Sequence, residues 1–314
     1  MTDAAASKKV WTILEMLQWG TSYLAEKGFD ESRLTIELLL SHVLRLKRIQ
    51  LYTNFEKPLT QDELTSFKIL LQRRLLHEPL QYIMGTTEFI GREFLVDKRV
   101  LIPRPETEVL AEVAVRFAKE NSHSVPSKIL DIGTGSGCLA VTCAAMIENA
   151  VVTAFDISKD AIDVARSNAE RNGVGDKIAF SVRDVFITSA ADFPEKFHIV
   201  ISNPPYISKS EFDGLQQEIR KFEPSLSTTD GDDGLSFYRR IADIARSLLE
   251  SNGAVIVEHA YNQAAEVQEI FRSSGWETID SIQDYSGNPR CIVAKFPTGK
   301  LCEHSSSGFH EQVC

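Results

Sequence analysis

The stretch Ile199-Val200-Ile201-Ser202-Asn203-Pro204-Pro205-Tyr206 begins as an apolar, β-branched strand and stops at two prolines. Neither proline can donate to a sheet ladder, so the strand must end there. Proline also restricts the residue before it, which holds Asn203 and Pro204 in extended geometry. The product is a rigid corner carrying an amide (Asn203), backbone carbonyls and an aromatic face (Tyr206). Such a corner suits the grip of a planar NH2 group. The Asn203 side-chain oxygen and the Pro204 carbonyl can accept its two hydrogens while Tyr206 stacks on the plane. Proline pairs also punctuate ordinary loops, so the corner gains its meaning from what surrounds it.

A second stretch, Asp131-Ile132-Gly133-Thr134-Gly135-Ser136-Gly137, falls between an expected strand and an expected helix. Glycines there let a ligand approach the backbone closely. The dinucleotide fingerprint spaces its glycines G-x-G-x-x-G, whereas Gly137 comes one position early. No GK[ST] follows, which excludes a P-loop, and the loop carries no basic residue to answer a pyrophosphate. Asp131 makes the neighbourhood acidic instead and favours a cationic ligand. Asp156 closes the next strand, where doubly wound folds place an acid on ribose hydroxyls. Asp184 closes the third, followed by Val185 and Phe186, which can flank an adenine ring. Each acid alone is an ordinary cap or loop residue. Together at successive strand ends, beside the glycine loop, they describe a ligand with ribose, adenine and a positive centre but no phosphate. That points to S-adenosylmethionine, and the combination resembles class I methyltransferases.

These residues need a scaffold that brings strand ends together. Periodicity predicts strands over 128–132, 151–156, 177–183, 197–202, 254–258, 277–283 and 291–296, with helices over 137–147, 159–172, 236–251 and 262–274. The alternation implies an α/β fold: a doubly wound, Rossmann-like, seven-stranded and mostly parallel sheet over 103–297. The last two strands have no helix between them and a turn at Gly287-Asn288-Pro289, so one strand at the end is antiparallel. Ahead of the sheet, residues 1–84 read as a small all-α bundle. Its first helix runs over 10–28, its second is capped by Asp30, and Thr60 with Glu63 opens a third. Arg45, Lys47, Arg48, Arg73 and Arg74 read as a solvated helix surface. Over 85–102 the period shifts towards two (Phe89, Phe94, Val96, Val100 and Ile102, with Gly91 at a turn), which predicts a linking β-hairpin.

Composition bounds the partners. A 43% hydrophobic and 25% charged chain of 314 residues is that of a soluble two-domain protein. The net charge of −10 argues against broad nucleic-acid binding. The acidic excess falls beyond residue 84. No apolar run is long enough to span a membrane and the amino terminus lacks a signal pattern, so a cytoplasmic protein is expected. The cysteines (Cys138, Cys143, Cys291, Cys302 and Cys314) form no C-x-x-C pair and read as reduced thiols. In the tail, Cys302, His304, His310 and Cys314 offer metal-ligand chemistry, but their spacing matches no standard site. Ser305-Ser306-Ser307-Gly308 between them reads as flexible, so residues 298–314 are expected to be a disordered tail without metal.

Further stretches narrow the resemblance: Ile102-Pro103-Arg104-Pro105-Glu106-Thr107-Glu108, Phe222-Glu223-Pro224, and Gly231-Asp232-Asp233-Gly234-Leu235 leading into Phe237-Tyr238-Arg239. With the corner and the helical bundle they resemble the peptide chain release factor glutamine N5-methyltransferases, over nearly the whole chain to about residue 296. The resemblance implies methyl transfer from S-adenosylmethionine to the side-chain nitrogen of the glutamine in a Gly-Gly-Gln tripeptide of release factors, tuning translation termination, by a monomer. It gives Asn203, Pro204 and Tyr206 the catalytic part. Pro205, Arg104 and Glu223 join them on the substrate side. Asp131, Gly133, Thr134, Gly135, Ser136, Gly137, Asp156, Asp184, Val185, Phe186 and Asn203 would line the cofactor site. The rival is an adenine-N6 methyltransferase acting on DNA or RNA, because an exocyclic NH2 suits the same corner. It would want a basic groove and a target-recognition region, whereas the segment after Tyr206 is short and acidic. A binding module that has lost activity would not need the complete glycine loop with Asn203.

Overall fold

The computed structural model describes residues 10–121 and 126–295. Helices α1 (Ile13–Glu26), α2 (Ser32–Leu44), α3 (Arg48–Thr53), α4 (Gln61–Leu75) and α5 (Leu80–Met84) pack around a core that includes Ile13, Leu24, Ile36, Leu40 and Phe67. Reciprocal capping boxes open α1 (Thr12 with Glu15) and α4 (Thr60 with Glu63). The second helix corrects the expectation. Glu31 precedes it in the left-handed region (φ 50°) and no side chain caps it. The tight turn after Gly28 carries Asp30 past capping geometry, and Ser32 donates to the Phe29 carbonyl instead (2.7 Å). The arginines are not all solvated either. Arg48 reaches the buried Glu37 carboxylate (2.6 Å), and Arg74 is itself buried, paired with Glu218 (2.5 Å).

The linker is a hairpin of β1 (Thr86–Phe89) and β2 (Arg92–Leu95), antiparallel, with Ile90 and Gly91 both at positive φ in its two-residue turn. The Ile90 N–H donates to Glu108 Oε1 (2.9 Å), which fastens the hairpin to helix α6 (Pro105–Asn121). A small cluster of Tyr82, Val96, Val100, Ile102, Ala161 and Val164 joins the bundle to the sheet domain.

The sheet domain follows as β3 (Ser127–Ile132), α7 (Cys138–Met146), β4 (Ala150–Asp156), α8 (Lys159–Arg171), β5 (Ile178–Val182), β6 (Phe197–Ser202), the short α9 (Lys209–Phe212) and α10 (Gln217–Phe222), α11 (Ser236–Leu248), β7 (Leu249–Glu258), α12 (Ala264–Ser273), β8 (Thr278–Gln283) and β9 (Pro289–Lys295). The strand order is β5-β4-β3-β6-β7-β9-β8. Side chains alternate between two cores. Ile129, Ile199, Ile201, Ala254 and Ile256 face α6 and α7, whereas Leu130, Val200, Val255 and Val257 face α11 and α12. Strand β9 is antiparallel to both neighbours and sits between β7 and β8. Helix α11 stops short of the expected 251 because Leu249 already pairs with Phe197, with a register shift before Ile199 meets Ala254. Among the described residues no helix is long and apolar enough to cross a membrane. Cys138, Cys143 and Cys291 are buried free thiols. The expectations for residues 298–314 lie outside the described residues.

Candidate functional site

The chain winds from β3 outward to β5, then returns to place β6 beside β3. The reversal opens a crevice at the carboxyl ends of these two strands, the place where open α/β sheets bind ligands. Both chemical stretches end there. The Ser202 hydroxyl donates to the Ile132 carbonyl (2.7 Å), locking the end of β6 to the end of β3. A cleft of about 360 Å³ lies above, and Gly133, Thr134, Gly135, Ser136, Asp156, Asp184, Val185, Phe186, Arg104, Asn203, Pro204 and Pro205 line it. Of the expected residues, Asp131, Gly137, Tyr206 and Glu223 do not.

Each of those four has another place. Asp131 is wholly buried under the glycine loop, where its Oδ2 accepts from the Thr134 hydroxyl (2.6 Å) and the Ala140 N–H (3.2 Å). Its Oδ1 has no partner among the described residues, and burial pushes the carboxyl up to about 7. Gly137 heads α7 at φ 81°, and a Cβ there would come to 3.0 Å from the Ala165 Cβ. Its part is close packing against α8. Glu223 is buried and paired with Arg104 (2.6 Å). Tyr206 packs against the α11 face of the sheet, with its hydroxyl donating to Glu258 Oε1 (3.3 Å) and its carbonyl accepting from Gln263 Nε2 (2.9 Å).

Around the loop, Asp156 ties two turns together. Its Oδ2 accepts from the Gly135 N–H and its Oδ1 from the Ser158 N–H, each at 2.9 Å, and burial raises its carboxyl above the ordinary value. Asp184 Oδ1 accepts from the Phe186 N–H (2.9 Å), which turns the chain after β5 over the cleft. Arg240 reaches the Val185 carbonyl (2.9 Å) and holds that turn from α11. Three arginines line the cleft, and each is already answered: Arg99 by Asp97, Arg104 by Glu223 and Arg183 by Asp192. The cleft therefore offers acids, amides and apolar faces more than free positive charge. That set fits S-adenosylmethionine: carboxylates for hydroxyls, a glycine loop for close approach, and the half-exposed Phe186 for a base.

The corner is held from behind. Asn203 Nδ2 donates to the Thr107 hydroxyl (3.1 Å), which stands in the first turn of α6. Among the described residues no donor reaches Asn203 Oδ1 or the Pro204 carbonyl, and both residues line the cleft. Glu258 ends β7 and is wholly buried. Burial pushes its carboxyl up to about 7 against the opposing pull of the Thr107 hydroxyl, Arg290 and the Tyr206 hydroxyl. Gly234 packs so close to the corner that a Cβ would meet the Tyr206 carbonyl at 2.4 Å. Sequence reasoning passed over Thr107 and Glu258. The signal for Glu258 was available, an acid ending an otherwise apolar strand, as at Asp156. Thr107 sits between two glutamates that account for themselves as a helix N-terminus.

Two family models match, one described as the PrmC N-terminal domain over residues 15–85 and one as the methyltransferase small domain over residues 113–232. The chain is 45% identical to the release factor glutamine methyltransferase of Chlorobaculum tepidum, covering 89% of this chain and 95% of that protein. It is 40% identical to the one from Geobacter sulfurreducens, covering 90% and 96% respectively. Among solved structures, a methyltransferase from Pyrococcus furiosus overlays at 19% identity with a TM-score of 0.47, covering 72% of this chain and 98% of that one. With full-length identities of this size, the chain belongs to the release factor glutamine methyltransferase family.

Proposed function

We propose that this protein transfers the methyl group of S-adenosylmethionine to the side-chain amide nitrogen of a glutamine, the one in the Gly-Gly-Gln tripeptide of peptide chain release factors. The observation that carries the reading is the pair of open acceptors, Asn203 Oδ1 and the Pro204 carbonyl, at the strand end beside the glycine loop. When bound, the cofactor supplies an electrophilic methyl on a positively charged sulfur.

The rest falls to the chain's own residues. An amide nitrogen is a weak nucleophile because its lone pair is delocalised into the carbonyl. Among the described residues no lysine or histidine lines the cleft to remove a proton beforehand, and the arginines there are paired. The work left is positioning. Two acceptors take both hydrogens of the NH2 group, aim the nitrogen and stabilise positive charge as it develops. Reacting atoms have to come to within about 3–3.5 Å in line. Because Pro204 and Pro205 fix the backbone, the acceptors need no reorganisation as charge appears, the counterpart of an oxyanion hole with the signs reversed. Arg104 and Glu223 brace the segment that leads away from the corner on the substrate side.

The test is mass spectrometry on a release factor incubated with the protein and S-adenosylmethionine, with an adenine-containing DNA duplex present as competitor. One methyl on the tripeptide glutamine is expected. Methyl on adenine and none on protein would move the reaction to nucleic acid.

A further inference from the structure

We propose that Thr107 and Glu258 are positioning residues that fix which way the Asn203 amide faces, so that an oxygen and not an NH2 meets the substrate nitrogen. The inference rests on the glutamine reading above and adds to it the device that sets the polarity of the grip.

An asparagine amide is nearly symmetric in shape but opposite in chemistry at its two ends, and a half-turn of its last torsion exchanges donor for acceptor. Nothing in the backbone prevents that turn. What decides it is the neighbour behind. A threonine hydroxyl has one proton and two lone pairs, so it can accept from Asn203 only if its proton goes elsewhere. The acceptor we assign to that proton is the Glu258 carboxyl: the Thr107 hydroxyl favours its ionised form, and its Oε2 is buried with no hydrogen-bond partner among the described residues. In its ionised form, which prevails above about pH 7, that carboxyl can only accept. With its proton drawn to Glu258, Thr107 presents lone pairs to Asn203, and Nδ2 lies 3.1 Å from Oγ1. Asn203 Oδ1 is thereby left on the cleft side. The same carboxyl takes the Tyr206 hydroxyl at its Oε1 (3.3 Å), so one buried acid orients the residues on both sides of the two prolines.

The placement of these groups supports a dedicated role. Thr107 and Glu258 are each about 1% exposed and lie on α6 and β7; Thr107 lines the cleft and Glu258 stands behind it. A buried acid at this position is costly unless it does something its apolar strand neighbours cannot. Turned the other way, Asn203 would set an NH2 against the NH2 of the substrate, two donors with no hydrogen bond between them.

The test compares wild type with Thr107→Val, Thr107→Ser and Glu258→Gln. Valine keeps the volume and removes the hydroxyl; serine keeps the hydroxyl. With the release factor as substrate, Thr107→Val is expected to lower kcat by about 10- to 100-fold, the loss of one well-placed hydrogen bond. Affinity for S-adenosylmethionine, measured by calorimetry, stays within about threefold and serves as the control for folding. Thr107→Ser stays near wild type, and Glu258→Gln, no longer an acceptor at both ends, falls in the same direction as valine. A peptide with glutamate in place of the glutamine is expected to compete better against Thr107→Val than against wild type, because a freed Asn203 can offer its NH2 to a carboxylate. A purely structural loss would not shift that preference. A second readout needs no substrate: the Asn203 side-chain amide protons, followed by nuclear magnetic resonance, exchange slowly in wild type and Thr107→Ser and quickly in Thr107→Val. Wild-type kcat in Thr107→Val, or equal exchange in all proteins, overturns the positioning role. An inactive wild type with the exchange difference present would instead sink the glutamine reading and leave the positioning standing.

Discussion

Asp131→Asn is expected to stabilise the fold at neutral to alkaline pH and to do nothing for it in acid. In the folded chain the Asp131 carboxyl, wholly buried, ionises only at about 7, against 3.8 for an ordinary aspartate. The unfolded chain therefore gives up this proton first. As pH rises from about 4 to about 7 the unfolded state binds fewer protons than the folded one, so stability falls through that window and levels off above it. The interval is worth about 4 kcal/mol. An asparagine oxygen can take over the bonds that Oδ2 makes to the Thr134 hydroxyl and the Ala140 N–H. Its NH2 then occupies the place of Oδ1, which has no partner, and forfeits about 1–3 kcal/mol. The balance is a gain of about 1–3 kcal/mol at about pH 8, and the gain is gone at about pH 3, where the carboxyl is mostly protonated in both states. Urea unfolding followed by circular dichroism, without cofactor, at both pH values measures it. A variant no more stable than wild type at the higher pH, or a gap of equal size at both, would refute the reasoning. A cationic ligand favours the ionised acid, so wild-type affinity for S-adenosylmethionine should rise with pH to about 7, a slope the variant lacks.

Asn203→Ala removes one of two acceptors and should cost about 100-fold or more in kcat while cofactor affinity stays within a few-fold; equal losses in turnover and in a binding titration would contradict that division of labour. Gly234→Ala sets a Cβ 2.4 Å from the Tyr206 carbonyl at a φ of 80°. The left-handed backbone alone costs about 1–2 kcal/mol, so a lower melting temperature together with a larger loss of turnover is expected. Arg104→Ala leaves the nearly inaccessible Glu223 carboxylate without its partner. Because the arginine is partly exposed, a destabilisation of about 2 kcal/mol is expected rather than the full value for a buried pair. Glu223→Gln in the same chain should restore part of it, as a double-mutant cycle would report.

What could be read without coordinates was local chemistry. Pro204 and Pro205 end a strand wherever they fall, and glycines crowded after a strand mark a close approach, so the corner and the loop were legible. So was the alternation that builds the sheet, since both faces of β3, β6 and β7 are covered and their central runs (129–130, 199–201 and 254–257) are apolar. The misreadings share a cause. Asp30 has the right chemistry for a cap, but Glu31 in the left-handed region takes the chain into α2. The short α3 and α5 are too brief to show a period. Arg74 looks like any helix-surface arginine until Glu218, far away in sequence, is brought against it. Thr107 belongs to the same class, because its partner Asn203 lies on another element; Glu258 does carry a local sign, an acid at the end of an apolar run, but not the identity of the Tyr206 hydroxyl it meets.

The pairing of β3 with β6 joins residues 129 and 199, and β7 adds residue 254 beside them. Parallel strands so far apart in sequence pair slowly, because the intervening chain has to be ordered before the contact is gained. The bundle has its own core and can form early as a nascent chain emerges, since domains fold as units from the amino terminus. The glycine loop, Asp156 and the turn after β5 come next. The grip comes last, because it waits for Gly234, Glu258 and Gln263 to be made and brought to the corner. During its own synthesis the protein therefore gathers the glycine loop and the turn after β5 well before its corner is complete, and a chain interrupted between residues 203 and 258 would carry Asn203 without the Glu258 and Gln263 contacts that hold Tyr206.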